Sequence, residues 1–332
     1  MNILKKTIPV FLMILLIAGV FTSCGSSDKK QSDKTLQIVT TVFPAYDWTK
    51  EVLGDRAEDA ELTMLLDDGV DLHSYQPTAE DLEKIASCDL FIYVGGESDE
   101  WVEDALKSKT NKNRVEINLM DALGDSVKEE EEVEGMQAED EHEHEGEKAE
   151  SEEPEQDEHI WLSLRNAEVC TQAIADHLKK LDPSNKTAYE NNETAYKEKL
   201  TGLDKEYQDT IDHAKRKTLL FADRFPFRYL ADDYGLKYYA AFKGCSAETE
   251  ASFKTITFLA NKADEENLPY VMTIEGSDQK IAKSVTSNTK KKIQQIMTMD
   301  SMQSTTSQDV KDGKSYLSVM EENLSVLQKA LN

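Results

Sequence analysis

The sequence predicts an α/β protein in which two doubly wound β/α lobes are joined by one long, rigid helix, with a ligand site in the cleft between the lobes. Three observations lead to this fold class. The chain has 332 residues, which suits about two domains. Short β-branched strands alternate with amphipathic helices in two separate regions. Between these regions lies a stretch without proline that has apolar residues at helical spacing.

The N-terminal segment predicts export from the cell. Two lysines precede an apolar run over residues 8–21, which is shorter than a membrane span of about 20 residues and fits a signal peptide. Small residues before Cys24 resemble a bacterial lipoprotein signal, in which the cysteine is lipidated after cleavage. The alternative is an ordinary secretory signal with an incidental cysteine. We expect residues 1–23 to be the signal peptide and residues 24–35 a flexible, lipid-anchored tether.

The predicted N-terminal lobe covers residues 36–166. Its strand and helix signals alternate as β-α-β-α-β, the pattern of a doubly wound lobe. Thr78 and Asp81 also match a capping box at the start of one helix. Strands are predicted at residues 36–43, 61–66, 90–95 and 114–118, and helices at residues 48–53, 78–86 and 99–107.

Linking helices are predicted over residues 167–216, broken only at residues 182–185. The second part has Leu200, Leu203, Tyr207 and Ile211 on one face and predicts a helix of about 30 residues, roughly 45 Å long. A C-terminal α/β lobe follows over residues 217–332. Its strands are predicted at residues 218–222, 237–242, 270–274 and 293–299, and its helices at residues 227–233, 253–267, 279–289 and 315–331.

The charge distribution excludes one class of partner and marks one unusual segment. The chain has 65 acidic and 38 basic residues, a net charge of −27, which makes nucleic acid an unexpected partner. Residues 128–158 contain 17 acids and two lysines, more than half of that net charge. Because this segment has few apolar residues, we interpret it as a disordered loop of the N-terminal lobe.

The remaining cysteines do not form a disulfide framework or a zinc finger. Cys88, Cys170 and Cys245 are an odd number at wide spacing. We predict that Cys88 and Cys170 are small buried apolar residues, whereas the sequence leaves the role of Cys245 open.

Several motifs together resemble one family. They are DLHSYQPT at residues 71–78, HIWL at residues 159–162 after the acidic segment, FRYL at residues 227–230, and MDS at residues 299–301 before the last helix. With the lipoprotein signal, they are similar to the substrate-binding lipoproteins of bacterial zinc and manganese ABC importers. The similarity covers the chain from Leu36 onward. It implies a monomeric, metal-binding protein on the outer face of the cytoplasmic membrane, with an ABC permease and its ATPase as partners.

The resemblance also implies metal ligands. The family's two histidines fall on His73 and His159, and its carboxylate ligand falls on Asp300. Neutral imidazole suits both Zn²⁺ and Mn²⁺.

The fourth family ligand has no counterpart, since Arg224 stands at its position and arginine offers no lone pair to a cation. In one alternative, Arg224 pairs with Asp223 or Glu250 while a nearby group replaces the ligand. In the other, water or an anion completes a three-ligand site and Arg224 holds that anion. The replacement candidates lie in the loop of residues 244–252, and they are Glu248, Glu250 and the thiolate of Cys245.

The acidic loop bears on the identity of the metal. His142 and His144 alternate with glutamates and could collect zinc weakly, or the loop could have no metal role. Histidine-bearing acidic loops at this position are typical of the zinc-preferring members, so the resemblance favours Zn²⁺ over Mn²⁺. A surface adhesin and a zinc hydrolase are the other function classes considered. The sequence contains no H-E-x-x-H motif that would place a general base beside the ligands, and we expect no enzyme activity.

Overall fold

The structure is a computed structural model that describes residues 35–137, 155–246 and 250–332. The predicted signal peptide and all but the last residue of the tether, including Cys24, lie outside the described residues. The same is true of His142, His144 and Glu248. Within the described residues, no helix is both long and apolar enough to cross a bilayer.

The N-terminal lobe contains one parallel sheet with helices on both sides. Its elements are β1 (Gln37–Thr40), α1 (Phe43–Leu53), β2 (Glu61–Met64), α2 (Ala79–Ser87), β3 (Leu90–Tyr93), α3 (Trp101–Lys107), β4 (Val115–Asn118) and α4 (Leu119–Leu123). The strands lie in the order β2-β1-β3-β4, and every neighbouring pair is parallel. Successive strands are therefore added on opposite sides of β1, so that a topological switch point lies between β1 and β3, which confirms the doubly wound prediction.

Local chemistry explains where these helices begin. Pro44 follows the strand predicted at residues 36–43, and it lies in the first turn of α1, where a missing amide hydrogen costs nothing. The helix therefore begins five residues earlier than expected. At α2 the capping box is confirmed, because Thr78 Oγ1 accepts from the Asp81 amide at 3.2 Å and the Asp81 carboxylate accepts from the Thr78 amide at 2.9 Å.

Two long helices connect the lobes. α5 (Leu164–Leu181) and α6 (Lys186–Asp212) are separated by the turn at Pro183. The 27 residues of α6 span about 40 Å at 1.5 Å per residue. As predicted, its apolar face is buried, including Leu200, Tyr207 and Ile211. This face joins one continuous core that extends from the first sheet to the second.

The C-terminal lobe repeats the topology of the first. Its elements are β5 (Thr218–Arg224), α7 (Arg228–Tyr234), β6 (Lys237–Phe242), α8 (Phe253–Glu265), β7 (Tyr270–Ile274), α9 (Lys280–Asn288), β8 (Gln295–Met299), α10 (Ser307–Lys311) and α11 (Tyr316–Ala330). The parallel strands lie in the order β6-β5-β7-β8. The carboxyl ends of both sheets carry the loops that form the cleft.

The ends of the acidic segment are ordered, so the interpretation of residues 128–158 as one disordered loop was too broad. Glu129 and Gln156 form an antiparallel bridge, and Met136 is buried. The amide of Gln137 donates to the carbonyl of Ala241 in β6 at 2.9 Å. We call residues 128–137 the strap, because they connect the N-terminal lobe to the C-terminal lobe.

The last helix ties the two lobes together beside the cleft. Asp47 of α1 is 3% exposed and accepts from the amide of Tyr316, the first residue of α11, at 2.9 Å. The Tyr316 hydroxyl donates to the carbonyl of Trp161 at 2.7 Å. A buried carboxylate therefore holds the start of α11 against the HIWL segment, which contains His159.

This buried carboxylate predicts a pH-dependent stability. Burial raises the pKa of Asp47 from its ordinary 3.8 to about 6, so its contribution to stability is present at low pH and is lost as the pH rises through about 6. We expect Asp47→Asn to be nearly neutral at about pH 4 and to raise the free energy of unfolding by up to ~3 kcal/mol at about pH 8. Urea denaturation at the two pH values measures this difference, and an equal effect at both would contradict it.

Candidate metal centre

The cleft brings together side chains that follow the strands of both sheets. From the N-terminal lobe come His73 after β2, Ser98 after β3, and His159 in the segment before α5. From the C-terminal lobe come Arg224 at the end of β5, Cys245 after β6, Glu275 after β7, and Gln303 after β8. This clustering is expected for parallel sheets, in which the carboxyl ends of all strands meet at one edge.

His73 is held by its own loop and by the loop after β3. The Asp71 carboxylate accepts from the His73 amide at 3.0 Å and shapes a short helical turn over Leu72–Ser74. His73 Nδ1 lies 2.7 Å from Ser98 Oγ and 3.4 Å from a carboxylate oxygen of Glu158. Because Nδ1 is engaged on this side, Nε2 is the nitrogen that faces the cleft.

His159 is completely buried, and its ring orientation is set by Asp157. The Asp157 carboxylate lies 2.9 Å from His159 Nδ1 and accepts from the His159 amide at 2.8 Å. The carbonyl of Asp157 in turn accepts from the Tyr229 hydroxyl at 2.8 Å. A carboxylate on one ring nitrogen is the usual support of a metal-binding histidine, since it leaves the other nitrogen free for the metal.

The two histidines face each other through the nitrogens that remain. His73 Nε2 and His159 Nε2 are 3.2 Å apart. Two nitrogens that bind one tetrahedral zinc at 2.0–2.1 Å are separated by about 3.3 Å. The pair is therefore already at the spacing of two ligands of a single ion.

The charges around the pair favour a cation. Burial and the neighbouring His159 lower the pKa of His73 to about 3, so this ring is neutral. Burial opposes a charge on His159, but Asp157 and Glu130 raise its pKa above the usual value. Burial also raises the pKa of Glu158 to about 7. The acidic groups beside the two rings create a negative potential that favours a cation, and a metal ion that binds His159 takes the place of the proton that this potential favours on the ring.

Gln303 faces the pair and was missed in the sequence. Its Oε1 lies 3.3 Å from His159 Nε2, while its Nε2 donates to Ser301 Oγ at 3.0 Å. The Ser301 hydroxyl donates to Glu275 at 2.8 Å, so Ser301 Oγ must accept from the amide nitrogen of Gln303. This chain of hydrogen bonds directs the amide oxygen toward the histidines. Glutamine is not a usual zinc ligand, and only its position three residues after Asp300 could have drawn attention to it.

Asp300 is placed near this loop but is engaged elsewhere. One carboxylate oxygen is 2.7 Å from Lys314 Nζ, and the other accepts from the Met302 amide at 2.7 Å. Among the described residues, the clusters of candidate metal ligands do not include Asp300.

Among the described residues of the loop at 244–252, Cys245 is the candidate ligand that reaches the histidines. Cys245 Sγ, one nitrogen of His73 and one nitrogen of His159 all lie within 4.8 Å of one another. Burial and Glu130 raise the pKa of the Cys245 thiol well above its usual range. The structure does not bring Glu250 to this cluster, since Glu250 is exposed and its carbonyl accepts from Gln137 at 3.1 Å. Cys88 and Cys170 are buried, as predicted.

Arg224 connects two loops of the cleft. Its guanidinium lies 2.6 Å from the Asp71 carboxylate and 3.5 Å from the carbonyl of Ser246. The sequence suggested Asp223 or Glu250 as partners. Instead, Asp223 accepts from the backbone amide of Arg224 at 3.0 Å, and the guanidinium pairs with Asp71 of the other lobe. A cavity of about 500 Å³ opens beside His73, Asp71 and Arg224.

A second cluster of candidate metal ligands consists of His159 and two carboxylates beside it. Glu130 of the strap, Asp157 and His159 have potential ligand atoms within 4.8 Å of one another. However, Glu130 already accepts from the Cys245 amide at 3.1 Å, and Asp157 holds the His159 ring. We therefore interpret these acids as supports of the histidine and of the Cys245 loop.

Comparisons with known proteins identify the family of the chain. The family model described as "Zinc-uptake complex component A periplasmic" (ZnuA) matches residues 38–330. The zinc-binding lipoprotein AdcA of Streptococcus pneumoniae is 33% identical over 322 residues, which is 96% of this chain and 60% of the relative. The high-affinity zinc uptake system protein ZnuA of Bacillus subtilis is 32% identical over 326 residues, which is 96% of this chain and 97% of the relative.

A solved structure gives the same result for the fold. The crystal structure of the Zn(II)-bound ZnuA-like domain of Streptococcus pneumoniae AdcA has a TM-score of 0.68 at 31% identity and covers 90% of this chain and 99% of that domain. The chain spans only about 60% of the full AdcA relative, but nearly all of the Bacillus subtilis protein. The family is described as one of zinc-uptake components, and the predicted fold class is confirmed. This chain belongs to the ZnuA family of periplasmic zinc-uptake complex components.

Proposed function

We propose that this protein is a solute-binding protein that captures Zn²⁺ outside the cytoplasmic membrane and delivers it to an ABC permease powered by a cytoplasmic ATPase. One observation carries the proposal: His73 Nε2 and His159 Nε2 face each other at 3.2 Å, with both Nδ1 atoms already held. The names of the relatives support zinc as the metal and uptake as the process.

The surroundings of the pair favour zinc over manganese. Both metals can bind imidazole, but manganese favours a larger share of carboxylate, carbonyl and water ligands than zinc does. The carboxylate implied by the family resemblance, Asp300, is paired with Lys314, and Asp157 is used to orient His159. A manganese site would require Asp300 to exchange Lys314 for the metal. Membership in a family of uptake components favours transport over the adhesin and hydrolase alternatives.

We extend the proposal to the parts of the chain outside the described residues. Cys24 carries the lipid that keeps the protein on the outer face of the membrane, and the protein acts as a monomer. His142 and His144 collect zinc weakly near the cleft. The position of the strap supports this collecting role, because the acidic segment leaves the described structure at Gln137, next to the loop that bears Cys245.

Removal of either histidine tests the proposal. We expect His73→Ala and His159→Ala each to weaken zinc binding by at least ~100-fold, because loss of a ligand costs more than loss of its support. His213→Ala is the matched control, since His213 is exposed at the end of α6. Competition with a zinc-binding dye measures the affinity, and thermal unfolding of the apo proteins checks the fold. Unchanged affinity in either variant would contradict its assignment.

A second pair of variants tests whether Gln303 or Asp300 provides the third zinc ligand. We expect Gln303→Ala to lower zinc affinity by roughly 10–100-fold and Asp300→Asn by less than ~3-fold, because the Gln303 oxygen faces the pair whereas the Asp300 carboxylate is bound to Lys314. The same dye competition provides the comparison. The reverse order of the two effects would show that Asp300 leaves Lys314 to bind the metal.

A further inference from the structure

We propose that Cys245 binds the zinc as a thiolate ligand, so that this protein has a sulfur-containing site with two histidines. The inference rests on the proposed function, since it names a ligand of the same metal. It assigns a role to the cysteine that the sequence left open.

The first step is the gap in the ligand set. His73, His159 and the amide oxygen of Gln303 provide three donors, and tetrahedral zinc takes four. Arg224 offers no lone pair and is held by Asp71 at 2.6 Å. Another group must therefore complete a closed protein site.

The second step is the position of the sulfur. Cys245 Sγ is within 4.8 Å of a nitrogen of each histidine and 4.0 Å from His159 Nδ1. In a tetrahedral site with Zn–S of 2.3 Å and Zn–N of 2.0–2.1 Å, sulfur and nitrogen are separated by about 3.5 Å. The 4.0 Å distance is to Nδ1 of His159, which Asp157 holds, so the thiol must turn past the edge of the ring toward Nε2 to reach this geometry. A rotation of the Cys245 side chain provides a movement of this kind.

The third step is that the loop is built to approach the imidazole. A Cβ atom on Gly244 would lie 3.2 Å from His159 Cε1 and 3.0 Å from the carbonyl oxygen of Phe225, so glycine permits this close packing. The amide of Cys245 donates to Glu130 of the strap. On the other side, Arg224 contacts the carbonyl of Ser246.

Arg224 thereby takes a positioning role in place of a ligand role. Its guanidinium joins Asp71, which holds the amide of His73, to the loop that carries Cys245. The residue that cannot bind the metal brings a new ligand toward the histidine. Arg224 thus stands at the position of the missing family ligand and also holds the loop that carries the proposed thiolate ligand.

Other groups in the same region are less suited to the position. Glu250 is exposed and Asp300 is paired with Lys314. On binding, the thiol releases its proton to solvent and the sulfur lone pair is donated to zinc. Thiolate selects zinc over manganese, so the proposal also assigns Cys245 a role in specificity.

Cobalt substitution tests the inference directly. Co²⁺ bound to a thiolate gives a charge-transfer band in the near ultraviolet, which histidine and amide ligands do not give. We expect this band in the wild-type protein and in the matched control Cys88→Ala, whose thiol is buried away from the cleft. We expect it to be absent in Cys245→Ala, together with a loss of zinc affinity of at least ~10-fold and a smaller change in manganese affinity.

The outcomes separate this inference from the proposed function. A wild-type protein that binds Co²⁺ and Zn²⁺ without the charge-transfer band overturns the thiolate and leaves zinc capture intact. Equal zinc affinities of the wild-type protein and Cys245→Ala have the same meaning. A wild-type protein that binds neither metal overturns the proposed function and the inference with it. The wild-type spectrum decides the question even where Cys245→Ala unfolds, which thermal denaturation of the apo variant detects.

Discussion

Two imidazole nitrogens held in contact inside a protein must share a proton or a metal ion, because two lone pairs repel each other. The 3.2 Å separation of His73 Nε2 and His159 Nε2 places this constraint at the centre of the cleft. Neighbouring side chains hold both rings in this position, since Ser98 contacts Nδ1 of His73 and Asp157 contacts Nδ1 of His159. Because burial lowers the pKa of His73 to about 3, this ring carries no positive charge near neutral pH. A divalent cation fits the position better, since it binds both lone pairs at once.

Both lobes contribute to this constraint, and the fold explains why. The histidines belong to the N-terminal lobe, whereas Gln303 reaches them from the C-terminal lobe. The lobes are held together by the ion pair between Arg224 and Asp71 and by the buried contact between Asp47 and the start of α11. The two lobes therefore contact each other through these interactions. A bound ion would add metal–ligand bonds to these contacts between the lobes.

The sequence predicted the fold well because alternating strands and helices carry a strong periodic signal. It missed the early start of α1, where Pro44 fits the first helical turn, and the ordered strap, whose contacts with β6 are tertiary. For the site, motifs pointed to His73 and His159, but no local sequence pattern reveals that their Nε2 atoms face each other. Nor could the sequence show the hydrogen bonds that direct Gln303, because they link loops that are distant in the chain. The partner of Arg224 was missed for the same reason.

The most direct test is a crystal structure of the protein loaded with one equivalent of zinc, with anomalous diffraction data collected at the zinc edge. The account predicts one strong peak between the two histidines, at about 2.0–2.1 Å from His73 Nε2 and from His159 Nε2. A peak held only by acidic side chains outside the cleft would contradict it. So would a zinc ion bound through Nδ1 of His159, since Asp157 would then no longer orient the ring.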